Sequence, residues 1–191
     1  MIKINRPTCP NPVALTADYK HPENKKSLMD ASFGKCVYCE SKVSHVYFGD
    51  VEHLKPKGKY PTLEFDWLNL GFVCAKCNNA KSNKYDDGTP YINPYEDDPV
   101  DFLVTFGDLL RHKQGNERGE LTILDIDLNR LDLVEKRKTQ LDAIGKAIDA
   151  CMRTRNVVLK NIALESIKEE AADNREYSLF IKSLLKLHQL I

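Results

Sequence analysis

The sequence predicts an α+β protein: a first half stapled by a bound metal, a short β-hairpin, and a helical region toward the C-terminal end. Three observations lead there. Two Cys-x-x-Cys pairs, Cys36–Cys39 and Cys74–Cys77, stand in the first half. The segments around them carry too few apolar residues to hold together alone. From about Leu131 onward, apolar residues recur at helical spacing.

The bulk properties bound the reading. With 191 residues the chain is long enough for one compact domain, or for a small core with an added helical part. Hydrophobic residues make up 42% and charged residues 29%, an ordinary globular composition. The formal net charge of zero argues against nucleic-acid binding by bulk positive charge alone. No apolar run reaches the roughly 18 residues of a membrane span, and Met1 to Pro12 lacks a signal-peptide core. The expected location is the reducing cytoplasm, with no membrane partner. There, six cysteines point to metal or spare thiols rather than disulfides.

Taken in order, residues 1–32 read as a polar N-terminal extension rich in Pro7, Pro10, Pro12 and Pro22, with a short helix over Pro22–Ala31. Residues 33–90 hold the chemistry and end at the Asp86-Asp87-Gly88-Thr89-Pro90 turn. Residues 91–191 form a hairpin plus helical region. Phe102–Phe106 reads as a strand, and Leu109–Lys113 with Leu121–Leu124 as a hairpin around Gln114–Gly119. A helix is expected from Leu131, capped by Asn129, with Val134, Leu141, Ile144, Ile148 and Cys151 on one stripe. Two more are expected over Val157–Ala171 and Arg175–Leu190.

Each Cys-x-x-Cys pair places two thiolates on one ion, and two pairs complete a closed tetrahedral Cys₄ zinc site. A closed site leaves no position for substrate, so its role is structural. A redox motif needs only one pair and leaves the second unexplained. Cys151 falls on the helix stripe and reads as core; Cys9 has no partner at ligand spacing.

Between the pairs lies Asp50-Val51-Glu52-His53-Leu54-Lys55-Pro56-Lys57. A carboxylate immediately before a histidine suits metal-assisted phosphodiester hydrolysis: the carboxylate holds a hard cation and the imidazole takes a proton from the attacking water. Alone, this dipeptide is weak. The second segment adds Trp67-Leu68-Asn69-Leu70 and Cys74-Ala75-Lys76-Cys77-Asn78-Asn79-Ala80-Lys81. An acidic residue with His, then Asn-Leu, then Cys-x-x-Cys followed by His or Asn, then Lys, resembles the HNH endonuclease motif over residues 36–84. The resemblance implies a ββα-metal, treble-clef-like nuclease core. Asn78 stands where that family often has His, as in its HNN variants. An amide oxygen favours Mg²⁺ or Mn²⁺ over softer metals.

A narrower resemblance covers nearly the whole chain. Cys36-Val37-Tyr38-Cys39-Glu40, Val51–Lys57, Ile92-Asn93-Pro94, and Leu128-Asn129-Arg130 with Arg137 look like the HNH subunit of Septu-type antiphage systems, relatives of which accompany some retrons. That likeness implies an ABC-type ATPase partner and nucleic acid as substrate, with DNA ahead of RNA such as tRNA.

The roles follow. His53 is the expected general base, and Asn69 is expected to orient its imidazole by a hydrogen bond. Glu52 and Asn78 are the expected ligands of the catalytic cation; Asp50, on the same strand face as Glu52, is the rival ligand, and either both approach the metal or one supports the other. Lys81, Lys55 and Lys57 are candidates for the phosphate backbone. Trp67 reads as core, flanked by Phe65 and Leu68 that also look buried; His45 takes no assigned role. The rival from another class is a non-catalytic zinc module recognising nucleic acid or protein. It keeps the four cysteines but leaves Glu52-His53, Asn69 and Asn78 without a reason to occur together.

Overall fold

A computed structural model describes residues 1–43 and 48–191; His45 lies outside the described residues. Two short helices open the chain. In α1, Pro12–Leu15, the Asn11 side chain accepts the Ala14 N–H as an N-cap. The second, α2, spans Pro22–Ala31 as expected, with proline in its first turn, where its missing N–H costs nothing.

The cysteine half is a ββα unit. Strand β1, Asp50–His53, runs antiparallel to β2, Leu70–Val73, with Val51 opposite Phe72 and His53 opposite Leu70. Helix α3, Ala75–Lys81, begins directly after β2 with Cys74 as its N-cap. The first cysteine pair forms a tight turn in which Glu40 N–H donates to Cys36 O, and Val37 N–H ties that turn to Phe72 O at 3.0 Å. Glu40 adopts a left-handed conformation, φ 64°. Its buried carboxylate accepts from Ser178 Oγ at 2.8 Å and pairs with Lys35 and the Met1 amino group. Burial alone would raise this carboxyl, but the two cations outweigh that and hold its pKa at about 2. Gly49, at φ 67° just before β1, admits no side chain, because a Cβ there would lie 2.3 Å from the buried Phe72 ring.

The second half departs from expectation at its hairpin. Strand β3, Leu103–Phe106, pairs with β4, Leu109–His112, across a turn with Gly107 at φ 60°. Leu121–Leu124 belongs instead to a helix, α4, Glu117–Asp125. Asn116 caps α4 by accepting the Gly119 N–H, and Gly119, Thr122 and Ile123 form its buried face. Four residues in isolation cannot distinguish a period of 2 from one of 3.6.

Three helices complete the chain: α5 over Leu131–Arg153, α6 over Val157–Glu169 and α7 over Ser178–Leu187. Asn129 is not the cap of α5. Its amide clamps both backbone groups of Leu110 at 2.9 and 2.8 Å, tying the hairpin to the start of the helix. The buried stripe of α5 contains Leu133, Ile148 and Cys151, and also Arg137, which periodicity of apolar residues does not reveal.

Buried apolar residues form two clusters. The main one runs from Met1, Ile2 and Leu28 through Phe72 and Ile92 to Leu133 and Phe180. The smaller one joins Ile148, Cys151, Ile167, Ile181 and Leu185 of α5–α7, so Cys151 is core as expected. Trp67 is buried, its indole N–H donating to Pro7 O at 2.8 Å. Phe65 and Leu68 are exposed, at 41% and 60%, contrary to expectation. The 3₁₀ turn over Trp67–Asn69 sends neighbouring side chains in different directions. Among the described residues, no helix is long and apolar enough to cross a membrane.

Candidate active site and metal centre

The four sulfurs of Cys36, Cys39, Cys74 and Cys77 lie within 4.8 Å of one another. Cys39 and Cys74 are 3.9 Å apart. Tetrahedral zinc with bonds of about 2.3 Å separates its sulfurs by about 3.8 Å, so the donor set fits that ion. The centre joins the Cys36–Cys39 turn to the N-terminus of α3.

The helical half also reaches this centre, which the sequence reading missed. Arg130 Nη1 lies 3.4 Å from Cys77 Sγ, and Nη2 lies 4.0 Å from Cys74 Sγ. Four thiolates around a divalent ion such as Zn²⁺ would carry a net charge near −2, and this guanidinium would offset part of it. Arg137, fully buried beside it, stacks 4.4 Å from the Phe180 ring centroid and donates to Asn129 Oδ1 at 3.4 Å. The signal was present in Leu128-Asn129-Arg130 and Arg137, but nothing local assigns those residues a role.

A cavity of about 330 Å³ brings His53, Glu52 and Asn78 together, with Lys57 and Tyr19 also on its wall. Asp50 and Glu52 share one face of β1, and Asn78 and Lys81 share one face of α3. The two faces meet in register: Asn78 Nδ2 donates to Asp50 Oδ2 at 3.1 Å, and Lys81 Nζ to Glu52 Oε1 at 2.6 Å. With its amide nitrogen on Asp50, Asn78 keeps its oxygen for another partner.

Lys81 is not available to phosphate. It is fully buried and also donates to His53 O at 2.8 Å. Burial pushes the Glu52 carboxyl up and the Lys81 ammonium down, each shift partly offset by the other charge. The pair fixes the strand to the helix beneath the cavity. Lys57 and Lys55 remain at the surface, paired with Glu64 at 2.7 Å and Asp87 at 3.3 Å.

His53 is the last residue of β1. Its Nε2–H donates to Glu64 O at 2.9 Å. A carbonyl only accepts, so the neutral ring carries its proton on Nε2 and its lone pair on Nδ1. Burial lowers its pKa below the usual 6.5, opposed by the Glu64 carbonyl and assisted by Lys57 and Lys81. The Tyr19 ring leans on the imidazole, with centroids 4.5 Å apart and planes tilted by 59°. The residues 1–32 thus supply a wall of the site, and no local pattern marks Tyr19 for it.

Asn69 does not touch the imidazole. Its Oδ1 accepts from Lys55 N–H at 2.7 Å, and its Nδ2 donates to Lys55 O and Leu63 O at 2.9 and 3.2 Å. It closes the loop whose next residue, Glu64, holds His53. Its short amide thus reaches the backbone of the loop rather than the ring.

Residues 36–84 match the sequence model of the HNH endonuclease family. The chain is 28% identical to the Septu protein PtuB of Bacillus thuringiensis, over 97% of its own length and 82% of that protein's. It is 29% identical to the Septu protein PtuB of Bacillus mycoides, over 64% of this chain and 54% of that one.

Proposed function

This chain carries an HNH endonuclease domain, and from that premise we propose that it hydrolyses phosphodiester bonds with His53 as the general base, as the effector subunit of a Septu-type antiphage complex. The observation that carries the catalytic reading is the shared cavity. His53, Glu52 and Asn78 come from β1 and α3, and all face one space beside the cysteine clamp.

In this reading the Nδ1 lone pair of His53 takes the proton of a water placed in line with the scissile bond. The Glu64 carbonyl keeps that nitrogen unprotonated by fixing the tautomer, and Tyr19 restrains the ring. The Asn78 amide oxygen and the Glu52 oxygen that does not carry Lys81 would supply oxygen donors for Mg²⁺ or Mn²⁺, with Asp50 orienting the Asn78 amide. When bound, such a cation supplies charge stabilisation at the phosphate and leaving oxygens. Lys57 and Lys55, at the surface, steer the phosphate backbone. A zinc on the four cysteines would fix α3 to the Cys36–Cys39 turn, while the Asn78–Asp50 and Lys81–Glu52 contacts hold that helix in register with the His53 strand, where an error near 1 Å costs on the order of 100-fold in rate.

The lengthwise similarity to Septu proteins supports the defence role. An ABC-type ATPase partner belongs to this reading through the family resemblance, and the six free cysteines suit a reducing cytoplasm. DNA is the first substrate to try and RNA the second.

The test is cleavage of plasmid DNA and of RNA by the purified chain, alone and with the product of the neighbouring gene. Mg²⁺ should be required after chelation. His53→Ala should retain zinc and fold while losing about 100- to 10,000-fold in rate. Cutting by His53→Ala at the parent rate would reject the assignment of the base.

A further inference from the structure

A larger cavity, about 440 Å³, lies beside the catalytic one, and the mechanism above leaves its interior unused. The two share a wall: Lys55 and Leu63 line the larger cavity, while Pro56 and Lys57 of the same loop line the His53 cavity. Its size falls within the roughly 300–1,000 Å³ of small-ligand sites.

The lining has a distinct chemistry. Tyr38, Leu54, Tyr91 and Ile92 are buried and give it apolar and aromatic walls. Asp66, Asn93 and Glu96 add hydrogen-bonding groups. Of its two cations, Arg118 is taken up by Asp97 at 2.6 Å and the carbonyls of Pro90 and Tyr91, and Lys55 stands at the surface, where it faces the phosphate backbone. Two carboxylates among such walls disfavour phosphate. They suit a flat, uncharged group that presents N–H donors. Tyr85 stands edge-on to Tyr91 and to Tyr60, with centroids 5.8 and 5.7 Å apart, and Lys55 lies over the Tyr60 and Tyr85 rings. These tyrosines come from separate stretches of sequence, so no regular aromatic spacing announces them.

We infer that this cavity receives an unpaired nucleobase next to the scissile phosphate. The catalytic cavity and its lysines take the backbone; the neighbouring aromatic cavity takes a base. A base in a duplex is stacked and paired, so the substrate is single-stranded beside the cut or has a nucleotide turned out of its helix.

The test uses the full-length chain carrying His53→Ala, so that binding is measured without cutting. The probes are a fluorescein-labelled single-stranded oligopyrimidine, the matching duplex, and the single strand with one 4-thiouracil for photocrosslinking. Tyr85 lines the cavity with its ring edge-on to Tyr91. Tyr85→Leu should weaken single-strand binding about tenfold, as expected for one lost base-stacking ring, and leave duplex binding unchanged. Crosslinks in the His53→Ala chain should fall on peptides containing Tyr85 and Tyr91 and disappear in the chain that also carries Tyr85→Leu. Crosslinks only elsewhere, or Tyr85→Leu binding the single strand as tightly as the parent, would overturn the assignment. Metal-dependent cutting by the chain with His53 intact reports separately on the mechanism above.

Discussion

The ββα half and the α5–α7 half of this protein are held together by different forces. In the first, the two short strands lie in the main apolar cluster through Val51, Leu70, Phe72 and Val73. What sets the register of their polar side chains is a set of specific links: the Lys81–Glu52 pair, the Asn78–Asp50 hydrogen bond and the Asn69 amide closing the Lys55–Leu63 loop, beside the four clustered cysteines. In the second, Ile148, Cys151, Ile167, Ile181 and Leu185 pack into a cluster of their own. The difference teaches where positional accuracy comes from. Directional bonds hold the atoms of a site in one geometry, whereas apolar packing tolerates adjustment as long as volume is kept.

The comparison can be broken most severely at the metal. Cys74→Ser should abolish stoichiometric zinc and lower cleavage by about 100-fold or more. Most of the helical circular dichroism should survive, because α5–α7 keep their own cluster. Full zinc retention by metal analysis would contradict the clamp, and collapse of the helical signal would show that the two halves unfold as one.

Next in size is the buried pair. Lys81→Met leaves the Glu52 carboxylate buried without its cation, and should destabilise the fold by about 3–5 kcal/mol in denaturant unfolding. A loss under 1 kcal/mol would mean that Glu52 does not depend on Lys81 for its charge.

The helical half supplies the counterpart. Ile148→Ala should cost about 2–5 kcal/mol of thermal stability, while zinc content and cleavage at moderate temperature stay at the parent level. Zinc loss in this variant would couple the second cluster to the metal centre, with Arg130 as the route.

The smallest effect is in pH. His53 must be neutral to act as a base, and its folded pKa is lowered, so the acid limb of the rate profile should lie below 6.5. Because the native state then binds this proton less tightly than the unfolded chain, the His53 contribution to stability is intact above 6.5 and declines as pH falls beneath it. An acid limb centred above 6.5 would contradict the burial argument.

Much of the site was legible because its chemistry is written in local spacing. The two Cys-x-x-Cys pairs, Glu52-His53 and Cys77-Asn78 each occupy a few consecutive residues, and strand and helix periodicity puts Asp50 with Glu52 and Asn78 with Lys81. What failed depended on contacts that no short window contains. Asn129 reads as a helix cap and clamps Leu110 instead. Lys81 reads as a phosphate contact and is buried against Glu52. Leu121–Leu124 reads as a strand and is helix, because four residues, Leu-Thr-Ile-Leu, fit both periods. Tyr19, Glu64 and Arg130 reach the site from 34, 11 and 53 positions away from His53 or Cys77, counted along the chain.

From its sequence alone, then, this chain declares which atoms are available for chemistry: sulfurs to grip an ion, an imidazole, carboxylate and amide oxygens. Which of those atoms face substrate and which are consumed in holding the fold was decided only in three dimensions. The reason is physical. A side chain's chemical capacity is covalent and local, but its freedom to use that capacity depends on what burial and distant partners leave exposed.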